Sequence, residues 1–447
     1  LSFLEILQKI GISMGGGKSR GYGHFEFDYQ IEERSETKLE NKIDSNLIYL
    51  VKLSPQEEFR ISFLKPREYL YETLGYIPGS TIRGAIADKL LEKEISPELF
   101  RRAFLKKPIL FSPLYPSKLF NVSRPFPLSA RVCKAYPGTP VDIGIPGEVD
   151  REKRHGVKDI LIERFIQFKL KEAGLNFPLK EECFFCQSKL EPVEGFYFWD
   201  GDKPKRVEWQ THISTKLALD RKTLSAEKEK LYSYESWDKN LKREWEEYSF
   251  VGFINCMENN DVMNQIASLD SLFIGGAKGR GYGKMKMVIK PFTEEDLEER
   301  LNLFNHKIIE KINQMKLSND IFVLDKIFGL NKNIYFSVDL YSDLILPFNN
   351  NLVEYLTNEI GNQCKFEIGF VKTGISGGYN LAINMAKELI PTVSKGSTLL
   401  FSVNKENQNN ILKKFKEFER KGIGLKRYEG FGRVSFCDRF HLLLDQT

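Results

Sequence analysis

The sequence has few cysteines and no long apolar run. Six cysteines among 447 residues are too few for a disulfide framework, so free thiols or a metal site are expected. No apolar run reaches the length of a transmembrane helix and no signal peptide is visible, which predicts a cytoplasmic protein with no membrane partner. The net charge of +5 is small for this length, so any site for a polyanion has to come from local clustering.

Glycine-rich stretches occur at three places along the chain. Residues 275–283 read GGAKGRGYG, and residues 15–23 read GGGKSRGYG. A degenerate relative at residues 422–434 reads GIGLKRYEGFGRV. Each of the first two follows a short apolar run and precedes alternating apolar and polar residues, so each is predicted to be a loop that leads into a strand.

The composition of these loops is typical of a polyanion site. Glycine permits positive φ and close approach of a ligand, while Lys and Arg add positive charge and hydrogen-bond donors. A tight solvated hairpin would explain one copy, but two near-copies with Lys and Arg at the same offsets favour a polyanion ligand. The loop residues expected to contact it are Lys18, Arg20, Gly21, Gly23, Gly275, Gly276, Lys278, Arg280, Gly281, Gly283, Lys426, Arg427 and Arg433.

A further candidate lies at residues 76–90, which read YIPGSTIRGAIADKL. The Pro-Gly pair predicts a turn, Ser80 is predicted to be the N-cap, and the apolar spacing from Ile82 onward is helical. This pattern places Arg83 in the first helical turn, beside free backbone N–H groups that favour a phosphate. A local carboxylate is the alternative partner of Arg83.

This helix start, followed far downstream by the loop at 275–283, resembles the RAMP superfamily of CRISPR–Cas proteins. Members are built from ferredoxin-like domains of the RNA-recognition-motif type. The resemblance covers residues 47 to about 290, includes the loop at 15–23 and extends less sharply over 331–441. It implies an α+β fold with tandem ferredoxin-like domains, and it implies that the polyanion is RNA.

Other stretches narrow the resemblance to type III effector complexes. Several segments between residues 211 and 254 resemble the strand–loop–strand of type III effector subunits, although Leu224–Lys228 lacks the glycine usual there. Residues 421–441 resemble the carboxyl end of the type III-D subunit, which is thought to sit at the 5′ handle of the guide RNA. The implied partners are crRNA, target RNA, other RAMP subunits and the large signalling subunit.

The predicted organisation follows from these motifs and from shifts in composition. The expected units are a remnant of a preceding RAMP domain (1–30), a linker (31–46), a RAMP domain (47–292) with an insertion at about 105–205, a helical connector (293–330) and a carboxyl-terminal RAMP domain (331–447). Because a glycine loop arrives so soon after Leu1, the chain is expected to be part of a longer polypeptide.

The insertion contains a candidate zinc site. Cys183 and Cys186 form a Cys-x-x-Cys knuckle, and Cys133 and His155 are the other Cys and His of the insertion. Four such ligands would close a tetrahedron around structural Zn²⁺ and leave no position for a catalytic water. Redox activity and plain burial are the alternatives. The nearby basic residues, expected to face RNA or solvent, are Arg124, Arg131, Lys134, Arg151, Lys153 and Arg154.

Catalysis has weaker support in the sequence than binding. His24 follows the first glycine loop and would be the candidate for a guide-processing endoribonuclease. Asp142, Asp150 and Asp159 lie in the insertion and would serve a backbone-type subunit that cleaves target RNA. Neither arrangement stands out, so the primary hypothesis is a non-catalytic crRNA-binding subunit, with these two activities as alternatives.

Overall fold

The computed structural model describes residues 12–13, 24–25, 48–61, 70–137, 155–175, 181–207, 211–219, 226–237, 248–276, 279, 281–293, 295–314, 321–347, 351–380 and 385–443. The chain divides into two compact units, Leu1–Lys42 and Ile43–Thr447. In the first unit, β1 (Ile12–Ser13) pairs antiparallel with β2 (His24–Phe25). The loop residues predicted to bind RNA in this unit, Lys18, Arg20, Gly21 and Gly23, lie outside the described residues.

The second unit begins with alternating strands and helices. Its described elements up to residue 118 are β3 (Ile48–Pro55), β4 (Leu70–Tyr71), α1 (Gly79–Glu92), α2 (Pro97–Arg101), a π-helical turn (Arg102–Lys106), β5 (Leu110–Phe111) and β6 (Tyr115–Lys118). The next elements are β7 (Arg124–Pro125), β8 (Ala130–Cys133), β9 (Val157–Asp159), α3 (Leu161–Glu172), β10 (Leu190–Pro192), β11 (Phe196–Asp200) and β12 (Lys203–Val207).

The middle of the chain returns to long strands. The described elements here are β13 (Thr211–Leu219), β14 (Ala226–Trp237), β15 (Tyr248–Asn255), α4 (Asn260–Ala267), β16 (Ser271–Phe273), β17 (Lys284–Phe292), α5 (Leu297–Gln314) and α6 (Ile321–Phe328). β13 and β14 form a long antiparallel hairpin, and β14 also pairs with β4 in parallel.

The carboxyl-terminal part repeats the mixture of strands and helices. Its described elements are β18 (Asn333–Leu340), α7 (Leu352–Ile360), β19 (Lys365–Phe370), β20 (Thr373–Ser376), β21 (Tyr379–Asn380), β22 (Met385–Ala386), β23 (Ile390–Val393), β24 (Thr398–Asn404), α8 (Gln408–Lys421) and β25 (Val434–Phe436). Short 3₁₀ turns occur at Lys405–Asn407, Arg427–Glu429 and Arg439–Leu442.

Two antiparallel sheets dominate the second unit. The first has the strand order β16-β17-β3-β15-β5, with β6 also paired to β15. The second has the order β19-β24-β18-β25. In the first sheet β3 lies between β15 and β17, and in the second β18 lies between β24 and β25. Helices precede β5 and β16 in the first sheet and β19 and β25 in the second. The predicted α+β class, with mixed helices and antiparallel sheets, is confirmed.

Each sheet buries one face under helices. Along β17, Met285, Met287 and Ile289 are buried while the residues between them face outward, because successive side chains of a strand point to opposite faces. These residues pack with Ile82 of α1 and Val262 of α4 in one apolar core. Each such side chain contributes about 1.5–3 kcal/mol when fully buried.

The core of the second sheet also includes residues of the insertion. It includes residues of α5 and α8 around the sheet, and Leu161, Phe165 and Ile166 of α3 are part of it. Since α3 belongs to the insertion, the insertion packs into the carboxyl-terminal core as well as carrying its own small clusters. No helix within the described ranges has the length and apolarity needed to cross a bilayer.

Candidate nucleic-acid interface and metal cluster

The glycine loop at 275–283 contains two kinds of glycine. Gly275 and Gly283 have positive φ, and a Cβ there would lie 2.0 Å from the carbonyl oxygen of Arg60 and 2.3 Å from that of Ile274. Both distances are far below van der Waals contact, so these two glycines are required to close the loop onto its own domain. The loop is also held by hydrogen bonds from Gly276 N to Arg60 O and from Ile274 N to Gly283 O.

The remaining described glycines of the loop face open space. A Cβ on Gly279 or Gly281 would meet nothing within 4 Å, and the nearest atom to a Cβ on Gly276 is Arg60 Nε at 3.9 Å. A ligand can therefore approach the backbone at these three positions. In the sequence, Lys278 lies between Gly276 and Gly279, and Arg280 lies between Gly279 and Gly281. Both basic residues lie outside the described residues.

The carboxyl-terminal glycine loop, residues 422–434, packs against itself and against the start of α1. Gly432 has a φ of 69°, and a Cβ there would lie 1.8 Å from Ile423 O. Gly430 has a φ of 94°, and its Cβ position is 3.0 Å from the Cα of Gly79. The loop thus closes on itself and also covers the beginning of α1.

The start of α1 differs from the prediction. The helix begins at Gly79 with Pro78 as N-cap and no side-chain cap, so Ser80 is the second helical residue and not the N-cap. Arg83 is consequently the fifth residue, beyond the first turn that carries free N–H groups. A Cβ on Gly79 would lie 2.6 Å from Glu429 O, so the protein's own loop occupies the space beside the helix start.

Arg83 lies between the segment that contains Phe104 and the glycine loop that contains Tyr428. Its Nη2 donates a hydrogen bond to Phe104 O at 2.6 Å, and its guanidinium carbon lies 5.1 Å from the centre of the Tyr428 ring. Burial lowers the pKa of Arg83, and Glu429 opposes this. The motif at 76–90 and the third glycine loop are therefore brought together, with Arg83 partly engaged by the protein. Its contact with RNA phosphate stays a prediction.

A cleft of about 460 Å³ opens beside this junction. Its apolar lining comes from Pro108, Leu110, Met257, Leu425 and Tyr428. Lys107, Lys421, Lys426 and Arg427 line it as well. The volume falls within the usual range for small-ligand sites, about 300–1,000 Å³.

Backbone strain is concentrated at the same cleft. Met257, Glu258 and Lys426 have φ values of 46°, 70° and 52°, and all three line the cleft. A left-handed conformation in a non-glycine residue costs on the order of 1–3 kcal/mol, and such residues cluster where ligands bind.

The predicted cations of the third loop differ in exposure. Arg427 is exposed, with a 3.4 Å contact from Nη1 to Gly422 O, whereas Lys426 is half-buried. Arg433 donates to Glu419 O at 3.1 Å and its guanidinium carbon lies 4.6 Å from the centre of the Phe253 ring. Arg433 therefore joins the two sheets, and Lys426 and Arg427 are the cations at the cleft.

The four predicted metal ligands come together in the insertion. The ligand atoms of Cys133, His155, Cys183 and Cys186 all lie within 4.8 Å of one another. Cys133 Sγ is 3.4 Å from Cys186 Sγ, and Cys183 Sγ is 3.3 Å from His155 Nδ1. Metal–sulfur bonds of about 2.3 Å imply ligand spacings of this order, so the cluster could hold a metal ion.

Local structure explains why these ligands meet. β8 ends at Cys133 and lies between β9, which follows His155, and β10, which follows the knuckle. In the knuckle, Gln187 N donates to Cys183 O at 2.9 Å, and Gln187 has a φ of 59°. Hydrogen bonds from Ser188 lower the pKa of the Cys186 thiol to about 6, which favours the thiolate form that binds metals.

The basic residues near this cluster are largely engaged within the protein. Arg124 forms a buried ion pair with Asp438, with nitrogen and oxygen 3.5 Å apart. Arg131 donates to two backbone carbonyls, and Lys134 pairs with Glu191 at 2.9 Å. The expectation that these residues face RNA or solvent is therefore wrong for Arg124, whose side chain is only 14% exposed and is paired within the protein. Arg151, Lys153 and Arg154 lie outside the described residues.

The candidate catalytic residues are not assembled into a described site. Asp159 is fully buried and accepts a hydrogen bond from Leu161 N, so it is not an exposed loop carboxylate that could reach RNA. Asp142 and Asp150 lie outside the described residues, and His24 is described only as part of β2.

Comparison with known proteins adds a family match. The family model described as the RAMP superfamily matches residues 58–286, just over half of the chain. None of the curated proteins searched matches this chain.

Several solved structures resemble the chain at low identity. A chain from the cryo-EM structure of the type III-B Cmr-beta complex bound to cognate target RNA has 13% identity and a TM-score of 0.39, covering 83% of this chain and 94% of that one. A chain of the Csm3–Csm4 subcomplex from the type III-A CRISPR–Cas interference complex has 14% identity and a TM-score of 0.34, covering 80% and 95%. Cmr4 from Pyrococcus furiosus has 13% identity and a TM-score of 0.23, covering 56% and 100%. Values this low say nothing about which RNA or partner this chain binds.

Proposed function

The chain belongs to the RAMP superfamily, and we propose that it is a non-catalytic crRNA-binding subunit of a type III CRISPR–Cas effector complex. In this proposal it is most like the type III-D subunit that holds the 5′ handle of the guide RNA. Its partners are crRNA, target RNA, other RAMP subunits and the large signalling subunit. The two sheets are interpreted as tandem ferredoxin-like domains, because both have the strand order of that β-α-β-β-α-β fold.

The observation that carries the proposal is that the glycines of the loop at 275–283 have two different roles. Gly275 and Gly283 anchor the loop, and this leaves Gly276, Gly279 and Gly281 with open space beside their backbone. An RNA backbone can approach there closely enough to accept hydrogen bonds from main-chain N–H groups, while Lys278 and Arg280 neutralise phosphates. Gly281 also has a φ of 82°, which by itself favours glycine, but neither positive φ nor crowding requires glycine at Gly276 and Gly279, and folding alone does not explain these two.

The cleft beside Lys426 and Arg427 has a complementary role. Its apolar lining suits an unstacked base, and the two cations suit the phosphate attached to it. Recognition of single-stranded RNA commonly combines these two contacts. The cleft is therefore the proposed site for a splayed nucleotide of the handle.

The metal cluster has a structural role in this proposal. Two opposed pairs of ligands, three thiols and one imidazole, match the donor set of a structural Zn²⁺ site. With all four positions taken by protein, the ion would serve folding and would offer no place for a reactive water.

Charge reversal in the loop tests the RNA contact. Replacing Lys278 and Arg280 with Glu should weaken RNA binding and flatten its salt dependence, because each lost phosphate contact removes about 0.7 from the log–log salt slope for single strands. The measurement is a salt titration of RNA affinity together with a melting curve of the same variant. A variant that melts like the parent and keeps the parent's slope would show that the loop does not touch phosphates.

Substitutions at two glycines of this loop distinguish a residue that contacts RNA from one that is needed for folding. Gly279→Ala should leave the melting temperature unchanged, because the added methyl group meets open space, yet it should weaken RNA binding where the backbone approaches the RNA. Gly283→Ala is the matched control, and it should lower the melting temperature because its Cβ would clash with Ile274 O. Unchanged RNA affinity in Gly279→Ala would contradict a close backbone approach at this position.

A further inference from the structure

The outer face of the first sheet carries a row of lysines. Lys284, Lys286 and Lys290 of β17 are exposed, and they alternate with residues buried under the helices. Alternate residues on one strand are about 6.8 Å apart. The row begins directly after the glycine loop at 275–283, so it continues that loop along the open face of the sheet.

Strand pairing adds a fourth lysine to this row. Lys52 of β3 is opposite Val288, which lies between Lys286 and Lys290 on the same face. Diagonal neighbours of this kind are about 7–8 Å apart. Burial lowers the pKa of Lys52, and Lys290 and Lys286 lower it further, which indicates that the three ammonium groups repel one another.

The lysines of this face differ from other lysines of the domain in their ion pairing. Other lysines of this domain form ion pairs, such as Lys89 with Glu92 and Lys107 with Glu258. Within the described part of the chain, no such ion pair joins a carboxylate to the four lysines of the row. Mutual repulsion opposes folding, so ion pairing among the described residues does not explain why these lysines are grouped.

Aromatic side chains lie beside the lysines. The Nζ atoms of Lys52 and Lys290 lie 4.9 Å and 4.1 Å from the centre of the Phe120 ring, so the ring holds two of the ammonium groups in place. At the other end of the row, Phe273 is opposite Lys284 and 40% exposed. An exposed ring beside a line of cations provides a platform on which a base can stack.

We infer that this open sheet face, defined by Lys52, Lys284, Lys286 and Lys290, is a second track for the phosphates of single-stranded RNA. The inference rests on the proposed function and extends it from the loops to the sheet. The exposed Phe273 ring beside the lysines favours a polyanion that also offers bases for stacking, which an acidic protein surface does not. An extended strand leaving the glycine loop would meet the lysines of β17 in succession.

The test is a double substitution, Lys286→Gln with Lys290→Gln. Affinity for a fluorescently labelled oligouridylate is measured by anisotropy over a range of salt concentrations. The loss of two phosphate contacts should lower the log–log salt slope by about 1.4, which corresponds to a roughly tenfold weaker affinity near 0.15 M salt. The melting temperature should not fall, because both side chains are exposed.

The matched control removes the same charge elsewhere. Lys326→Gln with Lys332→Gln changes two exposed lysines of the carboxyl-terminal half and should keep the parent's salt slope.

The possible results separate the inference from the proposed function. If the sheet variant keeps the parent's salt slope while replacement of Lys278 and Arg280 with Glu lowers it, the inference about the sheet face is wrong and the proposed function stands. If the parent binds the RNA without salt dependence, or not at all, both are wrong. If the sheet variant loses binding to polyglutamate and keeps RNA binding, the face serves an acidic protein and the inference is overturned.

Discussion

Replacing Cys183 with serine should release a zinc ion from the protein and unfold the Cys183–Cys186 knuckle that supplies two of the four metal ligands. Cys183 Sγ lies 3.3 Å from His155 Nδ1, so its loss removes one of four ligands and leaves three that cannot close a tetrahedron. The apolar cluster at this place consists of Cys133, Cys183 and Leu190 with Cys186 packed against it. So small a core cannot hold the Cys183–Cys186 knuckle without the metal, whereas β8 and β9 are also held by a second apolar cluster that includes Ala130, Val132 and Val157.

The expected effect is large because metal affinity in such a module is folding energy. Structural zinc contributes apparent binding energies of about 10–16 kcal/mol in small zinc-binding peptides. Metal analysis of the purified parent should find zinc, and the variant should have lost it. Limited proteolysis should then cut the variant between Cys133 and Leu190, while α3 stays protected because it packs into the carboxyl-terminal core.

A cysteine outside the cluster provides the control. Cys364 is buried in the carboxyl-terminal core, so Cys364→Ser introduces the same chemical change at a buried thiol and should lower stability without loss of zinc. A parent protein that is folded and free of zinc after gentle purification would contradict the proposal. Retention of zinc by the Cys183 variant would contradict the assignment of this ligand.

The sequence predicted the features that depend on local chemistry. The helical spacing from Ile82 onward and the glycine loop that leads into a strand follow from apolar spacing and glycine content, and they appear as α1 and as the 275–283 loop before β17. The four metal ligands could be named because a Cys-x-x-Cys knuckle with one more Cys and one His leaves little choice.

The features that the sequence did not predict depend on contacts between distant segments. Ser80 is a favourable capping residue, yet the N-cap is Pro78 and α1 begins two residues earlier than a Ser80 cap implies, at Gly79, which packs against Gly430 more than 300 residues away. Asp159 looks like a solvated loop carboxylate in the sequence, but it is buried by residues from the end of the chain. No local sequence pattern predicts either contact.

Removal of the His441 side chain should give the largest loss of stability among the substitutions of the carboxyl-terminal core. His441 is fully buried, with Nδ1 2.9 Å from Asp159 and Nε2 2.7 Å from Asp339. Asp159 belongs to the insertion and Asp339 to β18, so the imidazole joins the insertion to the second sheet. Thr398 Oγ1 and Ser337 Oγ also donate to Asp339, each at 2.6 Å.

The charge of the His441 imidazole determines how the stability of the protein depends on pH. Burial alone would lower the pKa of His441, but Asp339 and Asp159 outweigh it and raise the pKa well above its usual range. Because the folded protein binds this proton more tightly than the unfolded chain, its stabilisation is complete below the unfolded pKa of about 6.5 and is lost as pH rises through the folded value. The limiting slope for one proton is about 1.4 kcal/mol per pH unit.

His441→Gln should therefore cost about 3–5 kcal/mol at neutral pH, since two buried carboxylates lose their cation, and the variant should lose less stability than the parent between neutral and alkaline pH. Urea unfolding over a series of pH values measures both effects. His306→Gln is the control, because His306 is exposed on α5 and should leave stability and its pH dependence unchanged. A His441 variant with the parent's alkaline slope would show that another group binds the proton.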